Sequence, residues 1–122
     1  MVVVDASAFA AIAFGEPQVL AIKDRLRGHT LIAPGIFPFE LANIARTKTL
    51  QRPSESVGIA ESLRDALAFG VSLQPVNVLA VLALALDTGL TAYDASYLRL
   101  ARDRGVALVT LDKKLAAHAE KL

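Results

Sequence analysis

The stretch MVVVDAS, residues 1–7, joins an apolar run with three consecutive valines to a single acid, Asp5. A run that is apolar and β-branched throughout is typical of a strand buried on both faces of a parallel sheet, so Met1–Val4 is predicted to be one. Such sheets bind ligands beyond the carboxyl ends of their strands, and site residues are therefore expected directly after the strands. Further strand candidates are Thr30–Ala33, Val71–Gln74 and Val106–Val109.

Helical segments separate the strand candidates. Pro17 stands in the first turn of one segment, and glycines such as Gly28 and Gly105 follow the ends of others, as is usual at helix boundaries. The alternation predicts one α/β domain, residues 1–122, in which helices cover both faces of a parallel sheet. The predicted helices are Ser7–Phe14, Pro17–Arg27, Phe37–Leu50, Ser54–Phe69, Asn77–Leu86, Asp94–Arg104 and a last one from Asp112 to the end of the chain.

The composition is apolar for a chain of 122 residues, with 54% hydrophobic residues and a mean hydropathy of +0.47. The longest apolar stretch, Val78–Leu86, is far shorter than the ~20 residues of a membrane span. The excess therefore indicates an unusually apolar interior or a surface that a partner covers. The net charge of +1 does not indicate nucleic-acid binding. The lack of cysteine excludes disulfides and zinc–thiolate sites and favours a cytoplasmic location.

Three acids lie at positions that suit either a helix cap or a functional site. Asp5 follows the first strand, and it or Ser7 could cap the next helix. Asp94 lies three residues after Thr91, the spacing of a capping box. Asp112 follows the last strand and precedes a helix that it could cap. Each acid alone is ambiguous between the two roles.

Glu40 is the fourth acid, and its position on a predicted helix is unusual. It shares a stripe with Phe37, Leu41 and Ile44, and its neighbours three and four residues away include no cation. An unpaired buried charge is costly, so this carboxylate needs a partner from elsewhere. A metal ion and a distant Arg or Lys are both candidates.

Together, the four acids point to metal chemistry. If they converge on one rim of the sheet, their charges repel and raise their pKa values unless a cation neutralises them. A cluster of oxygen ligands without His or Cys suits Mg²⁺ or Mn²⁺. The reaction expected at such a site is phosphodiester hydrolysis by a metal-activated water. His29 and His118 are interpreted as solvated or structural. Most arginines are interpreted as helix-end charges, and Lys113 and Lys114 are the strongest candidates to contact RNA.

Four segments resemble, in order and spacing, the motifs of the PIN-domain family. They are VVDAS at Val3–Ser7, PFELAN at Pro38–Asn43, TAYDASYL at Thr91–Leu98 and LVTLD at Leu108–Asp112. The resemblance covers essentially the whole chain. It implies a three-layer α/β/α sandwich with a central, mostly parallel sheet, and a Mg²⁺- or Mn²⁺-dependent endoribonuclease similar to the toxins of VapBC toxin–antitoxin pairs.

The resemblance also implies roles and partners. Asp5, Glu40, Asp94 and Asp112 would be the catalytic, metal-binding acids, with Ser7 and Thr110 as supporting hydrogen-bonding residues. A homodimer silenced by a VapB-like antitoxin would account for the apolar surplus. Many members of the family carry a further acid where this chain has Lys113 and Lys114, so one resident ion is expected rather than two.

Two other classes of function are considered. A non-catalytic RNA- or protein-binding module could keep the same fold. A phosphoacceptor or phosphatase could use Asp5, but a receiver domain needs an acidic pair after its first strand and a haloacid-dehalogenase-type phosphatase needs D-x-D, whereas Asp5 is followed by Ala6 and Ser7.

Overall fold

A computed structural model of the chain describes residues 1–121 and contains a four-stranded sheet in which every pairing is parallel. The spatial order of the strands is β3-β2-β1-β4, so the first strand lies inside the sheet. This arrangement confirms the predicted fold class. The strands are β1 (Val2–Val4), β2 (Leu31–Pro34), β3 (Ser72–Gln74) and β4 (Leu108–Val109).

Residues 1–121 also form seven α-helices. The first four pack on one another, while the last three pack together with α6 also contacting β1, β2 and β4. A short 3₁₀ turn, Pro53–Glu55, precedes the fourth helix. The helices are α1 (Ala6–Ala13), α2 (Val19–Leu26), α3 (Phe37–Gln51), α4 (Ser56–Ala68), α5 (Val78–Thr88), α6 (Ala92–Arg104) and α7 (Lys113–Ala119).

The predicted elements are all present, with differences at their ends. The strand after Gly70 is an edge strand, and Ser72 and Leu73 are exposed, so only β1, β2 and β4 are buried as expected. The helix predicted from Ser54 begins two residues later because the chain first makes the 3₁₀ turn at Pro53. The final helix ends at Ala119, and the last residue of the predicted range lies outside the described residues.

The register of the central strands positions the site. Val4 of β1 pairs with Val109 of β4, so Asp5 and Thr110 leave the sheet side by side. Gly89 and Gly105 end α5 and α6 in the left-handed conformation, at φ of 76° and 63°, which glycine adopts without steric cost.

Within residues 1–121, no single helix has the length and apolar character needed to cross a membrane. Helices α5 and α6 together meet the length and composition of a broken span, with a bend of 108° between them.

Candidate active site

All four predicted acids line one cavity of about 440 Å³ at the carboxyl ends of the central strands. They arrive from different elements: Asp5 after β1, Glu40 on α3, Asp94 on α6 and Asp112 before α7. A larger cavity of about 640 Å³ involves α2, α6, α7 and β4, but Glu120 is the only acid that lines it among the described residues. The acid cluster therefore lies at the smaller cavity. The other residues that line it are Ala6, Ser7, Ile36, Phe39, Asn43, Ile44, Tyr93 and Tyr97.

Asp5 is buried, and its carboxylate accepts hydrogen bonds from three donors. Its Oδ1 accepts from the Ala8 amide at 2.9 Å, which caps α1, and from the Ser7 hydroxyl at 2.7 Å. Its Oδ2 accepts from the Thr110 hydroxyl. Burial raises the pKa of Asp5 against the opposing effect of these hydrogen bonds, and the nearby Asp94 raises it further. The Asp5 side chain therefore both caps α1 and belongs to the acid cluster.

Ser7 and Thr110 connect Asp5 to the start of α7. The Ser7 hydroxyl accepts from the Leu111 amide at 3.0 Å, and the Thr110 hydroxyl accepts from the Asp112 amide, also at 3.0 Å. Each hydroxyl also donates to Asp5, so two of the acid-bearing segments are tied together by two short bridges.

Glu40 has a hydrogen-bond partner that is neither of the two candidates from the sequence, a metal ion or a distant Arg or Lys. The hydroxyl of Tyr97, on α6, donates to Oε1 of Glu40 at 2.6 Å. No Arg or Lys among residues 1–121 pairs with this carboxylate, so the structure does not show the distant cation that was one of the two candidates. Burial raises the pKa of Glu40, as do the charges of Asp94 and Asp5, while the bond from Tyr97 lowers it. The sequence did carry a signal for Tyr97, which lies one helical turn after Asp94 on the same face.

Asp94 makes only half of the predicted capping box. Thr91 is the N-cap of α6, and its hydroxyl accepts from the Asp94 amide at 3.1 Å. In the described part of the chain, the Thr91 amide donates no hydrogen bond to the Asp94 carboxylate. Partial burial and the Asp112 carboxylate raise the pKa of Asp94, against smaller lowering effects of Thr91 and Lys114. The carboxylate is left facing the cavity.

Asp112 caps α7, as predicted, by accepting from the Leu115 amide at 2.9 Å. Lys114 in the first turn of that helix donates from Nζ to the Gly89 carbonyl at 2.9 Å. The charge of Lys114 also lowers the pKa of Asp94. Its neighbour Lys113 is exposed.

No cation among residues 1–121 forms an ion pair with the acid cluster, although four such pairs occur elsewhere. Over the same residues, no three His, Cys, Asp or Glu side chains surround one point closely enough to hold an ion as they stand. The donor set, all oxygen and without an ion-pair partner in the described residues, fits a hard divalent cation.

The remaining polar candidates lie away from the cavity. His29 is 3.5 Å from the amino terminus, and His118 is on α7; neither lines the cavity. Several basic side chains have side-chain partners outside the acid cluster. These contacts are Lys48 to Glu16, Arg52 to Glu55, Arg99 to Asp103 and Arg104 to Gln74.

Comparison with known proteins gives a consistent result. A family model described as PIN domain matches residues 2–121. Ribonuclease VapC12 of Mycobacterium tuberculosis is 32% identical over 117 residues, which cover 95% of this chain and 90% of VapC12.

Two solved structures share the fold. PAE2754 from Pyrobaculum aerophilum has a TM-score of 0.79 at 28% identity, over 98% of this chain and 79% of that chain. VapC20 of Mycobacterium tuberculosis, described as a toxin that cleaves the sarcin-ricin loop, has a TM-score of 0.66 at 14% identity, over 96% and 94% of the two chains. At that identity VapC20 supports the fold alone.

Proposed function

The chain belongs to the PIN-domain family, and on that premise we propose that it is a metal-dependent endoribonuclease, the toxin of a VapBC-type toxin–antitoxin pair. The observation that carries this proposal is the cavity into which four carboxylates project without an ion-pair partner. Such an arrangement is unfavourable for stability and is typical of sites that bind a cation.

We propose Asp5, Glu40, Asp94 and Asp112 as the acids that hold a divalent ion, Mg²⁺ or Mn²⁺. A bound ion supplies a Lewis acid for the scissile phosphate and lowers the pKa of the attacking water. Ser7 and Thr110 orient the Asp5 carboxylate through the hydroxyl bonds described above. Tyr97 orients Glu40 in the same way. No side-chain nucleophile is required for this reaction.

We further propose that Lys114 and Lys113 contact the RNA backbone. Both lysines are exposed and directly follow Asp112, and the charge of Lys114 lowers the pKa of Asp94. Lysine side chains of this kind neutralise phosphate charge without reading the sequence.

A cognate VapB-like antitoxin and a second copy of this chain are the proposed protein partners, in the cytoplasm and without membrane attachment. The homodimer is supported by the outer face of α5, where Leu79, Leu82 and Leu86 are exposed on one side of the helix. Monomeric soluble proteins rarely expose a contiguous apolar stripe of this kind.

The test of the function is cleavage of a mixed cellular RNA pool by the purified protein with Mg²⁺, with Mn²⁺ and with EDTA. Asp94→Asn serves as the inactive variant because its carboxylate caps no helix, and the substitution should leave the fold intact. Discrete cuts that need the metal and disappear in Asp94→Asn are expected.

Two outcomes would contradict the proposal. Cleavage at the wild-type rate by Asp94→Asn would remove the acid cluster from the mechanism. RNA binding by the wild-type protein without cleavage under any metal condition would favour a binding module on the same fold.

A further inference from the structure

Two aromatic side chains at the acid cavity are exposed. Phe39 is 72% exposed and Tyr93 is 61% exposed, and both line the cavity that holds the four acids. Phe39 directly precedes Glu40 on α3, and Tyr93 directly precedes Asp94 on α6. The two aromatic side chains therefore approach one cavity from different helices, each beside an acid.

Packing does not account for their exposure. Phe9, Phe37 and Tyr97 are all buried in the core. Phe69 is exposed but has a packing partner, since its ring makes an edge-on contact with Phe9 at 5.5 Å between centroids. No aromatic contact of that kind involves Phe39 or Tyr93 within residues 1–121. Their rings are free to stack on a ligand.

The occupant of this site should combine negative charge with flat apolar groups. Bare carboxylates at the cavity call for a cation and for an anion bound with it. The rings of Phe39 and Tyr93 stand beside those charges. Phosphates carried next to nucleobases have this chemistry, and base–aromatic stacking tolerates every base because each has a π-face.

We propose that Phe39 and Tyr93 are stacking positions for unpaired nucleobases of the RNA substrate beside the acid cavity. The inference rests on the proposed ribonuclease function and adds two residues that would bind the substrate beside the acids. Bases inside a duplex are already stacked on their neighbours, and only splayed bases can place a face against a side chain.

The experiment combines a cleavage assay with a binding assay. Phe39→Ala and Tyr93→Ala are compared with Leu50→Ala, which removes an exposed apolar side chain from the same helix as Phe39 but far from the cavity. The probes are a fluorescein-labelled RNA of mixed sequence about 12 nucleotides long and the same strand annealed to its complement. Binding is followed by anisotropy in the Asp94→Asn background, so that it does not depend on cleavage.

Each aromatic substitution should weaken binding of the single strand about tenfold, the size of one lost stack. In the active protein KM should rise by a similar factor with little change in kcat, because the rings contact bases and not the reacting atoms. Leu50→Ala should behave as wild type. Duplex RNA should bind more weakly than the single strand, and the aromatic substitutions should hardly affect its binding.

A substrate with abasic sites beside the cut tests the contact directly. If the rings stack on bases, the loss caused by removing a base and the loss caused by Phe39→Ala should not add. Full additivity, or single-strand binding unchanged in both aromatic variants, would overturn the inference. So would variants that bind RNA normally but lose affinity for a purified antitoxin, since the rings would then be a protein-docking site. Failure of the wild-type protein to cut RNA would contradict the proposed function instead, and the anisotropy result would still stand.

Discussion

The phenol of Tyr97 donates a 2.6 Å hydrogen bond to Oε1 of Glu40, joining α6 to α3 beside the acid cavity. Tyr97 is 1% exposed, so packing holds its ring in one place. Burial and the Glu40 carboxylate both raise the pKa of Tyr97, and the hydroxyl therefore remains a donor at any working pH. Through this bond, a rigid part of the core determines where one oxygen of a flexible glutamate lies.

Tyr97→Phe should separate positioning from folding. Removal of the hydroxyl leaves Glu40 free to change rotamer, and the metal concentration for half-maximal cleavage should rise about tenfold, as for other partners of metal-binding carboxylates. The free energy of unfolding should fall by only about 1 kcal/mol, the net value of one hydrogen bond. Metal titration of the cleavage rate and thermal melting measure the two effects.

Thr49→Val is the matched control because it also removes a hydroxyl that donates within α3, to the Ala45 carbonyl at 2.8 Å. It should reduce stability to a similar extent without changing the metal requirement. An equal change in metal requirement for both variants would show that Tyr97 acts on stability alone.

Asp94→Asn and Asp5→Ala should both abolish cleavage but shift stability in opposite directions. Asp94 faces Asp112, so its neutralisation in metal-free protein should stabilise the fold by about 0.5 kcal/mol, the size of a partly exposed charge–charge interaction. Asp5→Ala removes a helix cap and leaves two hydroxyls without their acceptor, at a cost of about 1–2 kcal/mol. Denaturant unfolding in EDTA measures both values, and destabilisation of similar size in both variants would argue against charge repulsion at Asp94.

Metal-free protein should lose stability from the acid cluster as the pH rises. Burial raises the pKa values of Asp5, Glu40 and Asp94, so the folded chain holds these protons more tightly than the unfolded chain does. Their contribution to stability is complete at a pH below the ordinary pKa values of 3.8 for Asp and 4.5 for Glu. It disappears as the pH rises through the raised pKa values of the folded chain.

The measurement is the difference in Tm between wild type and Asp94→Asn, followed in EDTA from about pH 4 to pH 7, since all shared titrations cancel in that difference. As the pH rises, the Tm of wild type should fall relative to that of the variant, and Mn²⁺ should restore the Tm of wild type only. A difference that stays constant with pH would contradict the assigned pKa shift at Asp94.

Substitution of the α5 face should give a monomer. Leu79 and Leu86 are each 78% exposed and lie on the same side of α5 as Leu82. A two-fold axis would pair this face with itself, and two lysines there would place like charges in contact across the axis. The double variant Leu79→Lys, Leu86→Lys should sediment as a monomer while wild type sediments as a dimer. Leu20→Lys, an exposed substitution on α2, should leave the dimer unchanged. A monomeric wild type, or a dimeric double variant, would disprove the assignment of this face.

The sequence by itself determined the order of the helices and strands and the parallel sheet. It also indicated that the four acids meet at one edge of that sheet. Apolar, β-branched runs such as Val2–Val4 and Leu108–Val109 have few structural alternatives, and glycine at φ above zero marks the ends of α5 and α6. Caps are similarly local, so the roles of Asp112 at α7 and Thr91 at α6 could be predicted from spacing.

Only the tertiary structure decided which groups meet. The bond between Tyr97 and Glu40 spans 57 residues and the bond between Thr110 and Asp5 spans 105, so neither leaves a periodic signal in the chain. The exposure of Phe39 and Tyr93 is likewise set by which helix faces pack on the sheet, because an aromatic residue on a helix reads the same whether it lies in the core or at a cavity. Local propensity and patterning fix the elements, but contacts between distant residues depend on strand register and helix packing, and these exist only in the assembled fold.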